Sequence, residues 1–170
     1  MRQKGLTLID DWIARLITEG YDRDAFFNNI CLAAQEITSS QQAAFPALNN
    51  DGKTYRFLSS SGSHSYYYDD SCNNFDDNSV YSWTMQNDTN LLINDVSSDP
   101  RAFDHLPQAH NIKSALLTPV TLNDEPYGAI AVFREHGEFD SIDEQLMTQF
   151  GQSVQMAIIN MQLVIMLLYG

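Results

Sequence analysis

Residues 141–168 constrain the fold more than any other stretch. Met147, Val154, Met161 and Leu168 recur at intervals of seven, and Phe150, Ala157 and Val164 run beside them. A helix with so wide an apolar stripe has to lie on another hydrophobic surface. Ser141 and Glu144 read as a capping box that starts it. Heptad spacing also suits a helix pair. The distal residues Val154, Ile158, Met161, Ile165 and Leu168 are therefore expected to form a dimer interface. The closing apolar run, Leu163 to Tyr169, is shorter than the roughly 20 residues that cross a bilayer, so no membrane insertion by this segment is expected.

The surface that the helix needs is supplied earlier in the chain. Leu6, Ile9, Ile13, Leu16 and Ile17 predict an amphipathic helix over about 5–19, stopped at Gly20. Phe27, Ile30, Ala34 and Ile37 predict a second helix over 24–38, with Asp24 as N-cap and Cys31 as a small buried apolar residue. Gln42–Leu48 and Lys53–Ser60 flank Asn49-Asn50-Asp51-Gly52 and read as a hairpin. Residues 59–79, rich in Ser, Asn, Asp and Tyr, read as a long loop. A short helix over Ser79–Gln86 and a short strand over Leu91–Ile93 follow. Two longer strands, Ser114–Leu122 and Tyr127–Phe133, flank a turn at Asn123–Pro126. Pro119 within the first of them predicts a bulge or an unpaired side. The order predicts an α+β fold for a single domain, 1–170. An antiparallel sheet of five to six strands would carry the N- and C-terminal helices on one face and the loop and short-helix excursion on the other.

Charge excludes several functions. Nine Lys and Arg against 22 Asp and Glu give a net charge of −13. Nucleic acid needs clustered cations, and an anionic membrane surface needs them too. Cys31 and Cys72 form neither a disulfide framework nor a zinc pattern, which points to a reducing, cytoplasmic setting. No metal site is expected: His64, His105, His110 and His136 stand apart, and Asp69, Asp70, Asp76 and Asp77 lack the order of a calcium loop. No P-loop, dinucleotide fingerprint or G-x-S-x-G elbow is present. The paired carboxylates fall in loops and helix starts, so no catalytic constellation and no cofactor is expected.

Aromatic residues are unevenly placed. They concentrate around the hairpin and the excursion, and small-molecule pockets are apolar and aromatic with a few polar groups. Phe45, Phe57, Tyr81, Trp83, Asp95, Leu117 and Phe133 are the candidates to line a pocket there. A filled core under a long loop is the alternative.

Three phrases carry a family resemblance. Leu92-Ile93-Asn94-Asp95-Val96 precedes Asp99-Pro100-Arg101. Lys113-Ser114-Ala115-Leu116-Leu117-Thr118-Pro119-Val120 runs into Pro126-Tyr127-Gly128-Ala129-Ile130-Ala131-Val132-Phe133. Phe139-Asp140-Ser141-Ile142-Asp143-Glu144-Gln145-Leu146 opens the last helix. In this order and spacing they resemble a GAF domain, a small-molecule-sensing and dimerising module, over about residues 5–165. The resemblance implies a non-catalytic sensory or regulatory domain. It would bind an unidentified small molecule, form a homodimer through its terminal helices, and control an effector outside this segment. A ligand-free interaction module is the alternative, and a redox enzyme on the same fold ranks last.

Departures from the family narrow the ligand. Arg134-Glu135 stands where cyclic-nucleotide-binding members carry Asn-Lys. No Lys or Arg lies between Arg56 and Arg101, whereas seven aspartates do, Asp69 and Asp99 the outermost. A lid of that charge repels phosphates. Bilin-binding members carry a pocket Cys beside a His, but residue 109 next to His110 is Ala. Sulfoxide-reducing members need several lid cysteines, and only Cys72 is there.

Overall fold

Asp51 reverses the chain after the first strand. Its Oδ1 accepts the backbone N–H groups of Lys53 and Thr54 at 2.9 and 3.0 Å, the usual way a short acidic side chain stabilises a turn. The hairpin joins β1 (Gln42–Leu48) to β2 (Thr54–Gly62). A computed structural model describes residues 22–62, 72–103 and 111–169 of the chain. Within them follow β3 (Asn73–Asn74), β4 (Leu91–Ile93), β5 (Ser114–Leu122) and β6 (Glu125–Arg134). They form one six-stranded antiparallel sheet in the order β3-β2-β1-β6-β5-β4. The helices are α1 (Arg23–Thr38), α2 (Val80–Asn87), α3 (Pro100–Phe103) and α4 (Ser141–Tyr169).

Strand alternation divides the core in two. Ala43, Phe45, Leu116, Ile130 and Val132 face α1 and α4, which bury Phe27, Ile30, Ala34, Phe150, Val154 and Ile158 against them. Ala115, Leu117, Ala129, Ala131 and Phe133 face the excursion that carries α2. The expected α+β arrangement is thus observed, with six strands. The expected helix over 5–19 lies outside the described residues. The strand expected over Lys53–Ser60 runs two residues further, so Ser61 and Gly62 of the stretch expected as a loop belong to β2, where they pair with Ala43 and Gln42. Polar composition concealed a strand whose neighbour is almost wholly apolar. Farther on, Asn73–Asn74 pairs with Thr54 and Tyr55, and 63–71 falls outside the described residues.

Both expected helix starts shift by one or two positions. Asp22, rather than Asp24, caps α1 by accepting the Ala25 N–H at 3.2 Å; Asp24 lies inside the first turn, where its charge suits the helix dipole. The box at α4 is Asp140 with Asp143, not Ser141 with Glu144. Each carboxylate accepts the other's backbone N–H at 2.9 Å. Glu144 is thereby left to bond elsewhere.

Arg134, at the end of β6, ties the two main helices together. Its guanidinium donates to the Thr38 carbonyl and the Glu138 carbonyl, lies 3.4 Å from Asp143 Oδ1, and stacks 4.3 Å from the Phe139 ring. The last turn of α1 has no basic residue of its own, and a cation at a helix C-terminus is favourable.

Pro46 interrupts β1 between its two neighbours. The register with β2 shifts between Phe45 and Pro46, which is how a central strand tolerates a residue without an N–H. On the other side the bulge presses on Gly128 of β6. A Cβ there would lie 2.4 Å from the Pro46 carbonyl oxygen and 2.9 Å from Phe45 Cε1. Pro119 of β5 lies beyond Leu117, the last residue paired with β4, so its missing N–H faces an unpaired side. Gly128→Ala is expected to lower the urea midpoint by an amount corresponding to about 2–3 kcal/mol at unchanged m-value, the range for overpacking a rigid site.

Candidate functional site

The excursion face has a floor of small side chains. Ala44 of β1, Ala115 of β5, and Ala129 and Ala131 of β6 are completely buried. Large residues rise around them. Tyr81 of α2 meets Phe57 edge-on at 4.9 Å and stands 6.4 Å from Phe133. Tyr55 lies 6.0 Å from Phe57 and 6.3 Å from Tyr81. Edge-to-face contacts at these separations are favourable beyond the area they bury. Trp83 is half-buried at the margin, with the Arg101 guanidinium 4.9 Å from its ring. That guanidinium is held by Asp99 through bonds of 2.6 and 3.0 Å. Aspartate and arginine shift one another: Asp99 falls below its ordinary value, and the pKa of Arg101 rises.

Of the seven residues read from sequence as pocket candidates, five come together here: Phe57, Tyr81, Trp83, Leu117 and Phe133. Phe45 does not. It pairs with Ser59 and points to the opposite face, 5.0 Å from the Phe27 ring. Its neighbour Ala44 takes the excursion side, and a strand reverses faces at every residue. Asp95 is exposed at the edge. It starts a short 3₁₀ turn, Val96–Ser98, by accepting from the Ser97 N–H at 3.2 Å and the Ser97 hydroxyl at 2.6 Å. With Ser97, Lys113, Glu135 and His136 it lines a separate, open polar cleft of about 500 Å³.

Two features of this face have no sequence signature. One is Gln42, 1 % exposed, on the same side as its cross-strand neighbour Phe133. The other is a cluster around Asp77. The Tyr55 hydroxyl donates to Asp77 Oδ2 at 2.6 Å, the Ser82 hydroxyl to Oδ1 at 2.7 Å, and the Ser79 N–H to Oδ1 at 2.9 Å. Ser79 also caps α2. One carboxylate thereby joins β2, the turn after β3 and the start of α2. Burial pushes the Asp77 carboxyl up, but the bonds from Tyr55, Ser82 and Ser79 outweigh it and bring the group below its ordinary 3.8. The Tyr55 hydroxyl is driven well above its ordinary value, by burial first and then by Asp77.

Asn90, between α2 and β4, connects the excursion to the other layer. Its Oδ1 accepts the Thr118 hydroxyl at 2.7 Å, and its Nδ2 donates to Thr148 Oγ1 at 2.8 Å and Glu144 Oε2 at 3.3 Å. Thr118 is buried in β5, and the other two residues lie in the first turns of α4.

The residues expected at a dimer interface divide. Val154, Ile158 and Met161 are buried within the chain, at 0 %, 0 % and 5 % exposure, against α1 and the sheet. They follow the sheet-facing line of α4 and have no surface left to offer a partner. Ile165 packs partly on the same core, and Leu168 is exposed. Other exposed apolar residues of α4 are Ile142 in its first turn and Met156, Leu163, Met166 and Leu167 farther along. By length and composition α4 is apolar enough to cross a membrane, yet its first five turns belong to the domain core.

Among the described residues reactive side chains are few. Burial pushes the Cys31 thiol up to about 12, so it stays a protonated thiol at neutral pH. Cys72 is exposed and unbridged. Among the described residues no group of three or more His, Cys, Asp or Glu could hold a metal ion.

A six-stranded antiparallel sheet with long helices on one face and an aromatic excursion on the other defines the class of fold. Solved structures share it. A methyl-accepting chemotaxis protein, residues 122 to 287, matches with TM-score 0.74 and 17% identity over 91% of this chain and 98% of its own. The GAF domain of an Acinetobacter phosphoenolpyruvate-protein phosphotransferase matches with TM-score 0.73 and 12% identity over 94% and 96%. Free methionine-R-sulfoxide reductase from Neisseria meningitidis, in complex with its substrate, matches with TM-score 0.78 and 13% identity over 96% and 92%. No protein of curated function matches the sequence. The GAF domain pattern matches residues 21–159, and the chain belongs to the GAF domain family.

The Asp77 cluster makes stability acid-sensitive. A carboxyl whose pKa falls on folding stabilises fully above its unfolded value, and that contribution is lost as pH drops from about 4 toward the folded value. Asp77→Asn is expected to flatten the fall in stability below pH 4. Asp77→Ala should cost about 2 kcal/mol at pH 7, the scale of bonds to a charged group. Urea melts at pH 3, 4 and 7 measure both.

Proposed function

We propose that this GAF domain is a non-catalytic sensory or regulatory domain that takes a small molecule on the excursion face of its sheet. It would act as a homodimer and control an effector outside residues 1–170, in the cytoplasm. The observation that carries the reading is the pairing of an alanine floor with an aromatic wall on the face opposite the helices. Supporting it, Asn90 bonds that excursion to α4. A ligand that prefers one arrangement of α2 then has a physical route to the terminal helix. Absence of enzyme activity is favoured by the Cys31 thiol, which is buried and protonated.

A second reading has its own support. Tyr55, Tyr81, Leu117 and Phe133 are themselves almost fully buried, as expected of a filled core in a domain that only dimerises.

For the dimer, a second copy on the outward face of α4 fits the charge distribution. The chain carries −13 overall, so two copies repel wherever their acidic surfaces meet. From Gln145 to Tyr169 there is no charged residue. Met156 and Leu163 lie seven apart on the outward side, with Leu167 next to them, all at least half exposed. That spacing suits a helix pair. Sedimentation of the purified domain should give a dimer, and Leu163→Glu should convert it to a monomer with unchanged circular dichroism. A wild-type monomer would refute the dimer. Native mass spectrometry of the same sample separates the two readings: a retained small-molecule mass supports sensing, and a bare chain that also takes up no ligand from a metabolite extract supports the filled core.

A further inference from the structure

Among the described residues one buried side-chain nitrogen or oxygen has no hydrogen-bond partner, Nε2 of Gln42. The residue sits in β1, between β2 and β6, at 1 % exposure. Buried polar groups in native proteins are nearly always paired, and an orphan calls for a water or ligand that satisfies it. An apolar side chain at this place would avoid the cost of an unmet donor. The neighbours of Gln42 are therefore informative. Across β6 stands Phe133, and across β2 stands Gly62. Next along the same face come Ala44 and its partners Ala131 and Ser60. Only glycine fits opposite Gln42: Gly62 has φ +99°, and a Cβ there would lie 2.7 Å from Gln42 Cα. The amide thus rises from a patch of small residues beside the Phe133–Tyr81 pair.

We propose that Gln42 is the specificity-determining donor of the excursion-face site, and that the ligand is an uncharged planar molecule presenting a carbonyl-type oxygen to Nε2. This rests on the reading that the face takes a ligand. The small floor and the aromatic wall suit a flat body. The acceptor follows from the donor. An anionic ligand is disfavoured, because Arg101, at the margin by Trp83, is already paired with Asp99, and a neutral carbonyl oxygen is enough to satisfy one amide donor.

A matched pair of probes tests it. Acetophenone and ethylbenzene have similar bodies, and only the first carries the acceptor. Each is titrated into the wild-type domain and into Gln42→Leu, following backbone amide shifts and the Gln42 side-chain NH₂ signals by NMR. Acetophenone is expected to move the Gln42 NH₂ signals and to bind Gln42→Leu about fivefold to tenfold more weakly, the loss expected for one hydrogen bond. Ethylbenzene should bind both proteins alike. Equal binding of both probes to both proteins, with shifts at Tyr81 and Phe133, would keep the site and overturn the role of Gln42. Gln42 NH₂ signals that show a water contact and ignore acetophenone would overturn it too. Failure of both probes to bind the wild type at millimolar concentration would overturn this inference, and native mass spectrometry of the same sample then shows separately whether the reading it rests on survives. The wild-type NH₂ signals decide the matter even if Gln42→Leu does not fold.

Discussion

Strand β6 is covered on both faces, and the rest of the domain is arranged around that constraint. Residues Ala129 to Phe133 have no exposed surface. Ile130 and Val132 supply bulk toward α1 and α4, while Ala129 and Ala131 leave the other face shallow. The side with large sheet residues takes two long helices directly. The shallow side is filled instead by aromatics brought in from elsewhere, Tyr81 from α2 and Phe57 from β2. Such a face can close over a cavity or over its own side chains with the same backbone. Gly128 belongs to this constraint as well: a fully covered strand has no room to move away from the bulge at Pro46, so the side chain has to vanish instead.

Two polar links pass around the sheet and hold the layers in register. Arg134 works at one end, where the carbonyl end of α1 meets the start of α4. Asn90 works at the β4 side, where the excursion returns to the sheet and reaches α4 at Glu144 and one turn further on. Both converge on the first two turns of α4. The helix is anchored there and along the sheet, and its last turns project with Met166, Leu167 and Leu168 exposed. A 29-residue helix is about 43 Å long, well beyond what strands of 9 and 10 residues cover.

Periodicity made the framework legible and polarity concealed the rest. The stripe on α4, the Asp51 turn, and the alternation of β5 and β6 all follow from local pattern, so the fold class could be read directly. The end of β2 could not, because a Ser-rich run becomes a strand only when Ala43 and Ala44 lie next to it. Phe45 faces the helices, and the sequence does not show it because Pro46 hides the register of β1. The stripe of α4 was legible and packs on the sheet as its width requires, but three of the residues assigned to a dimer, Val154, Ile158 and Met161, belong to that packed line. One helix has several apolar lines, and sequence does not say which neighbour takes which. Gln42 carries no signal in the sequence, because a polar residue at a strand's first position looks ordinary until its burial is known. In the sequence Asp77 is one of several loop acids, and only the fold brings Tyr55, 22 residues away in sequence, to its carboxylate.

On the proposed reading, a signal through this fold would involve modest energies. A ligand shifts an equilibrium only by its differential affinity for the two states, and coupling between sites commonly amounts to about 1–3 kcal/mol. One net hydrogen bond is worth about 1 kcal/mol. The three bonds of Asn90 would then be of the right size to pass on a displacement of α2, whereas the apolar seam between α4 and the sheet would stay intact. A ligand's effect would then be a small shift of the anchored turns of α4 relative to β5, with the buried seam as pivot. At the exposed end of a long helix, a small rotation at the anchor becomes a large lateral movement. The terminal turns, free of charge and outside the core, are where that movement would be felt by a second copy of the chain.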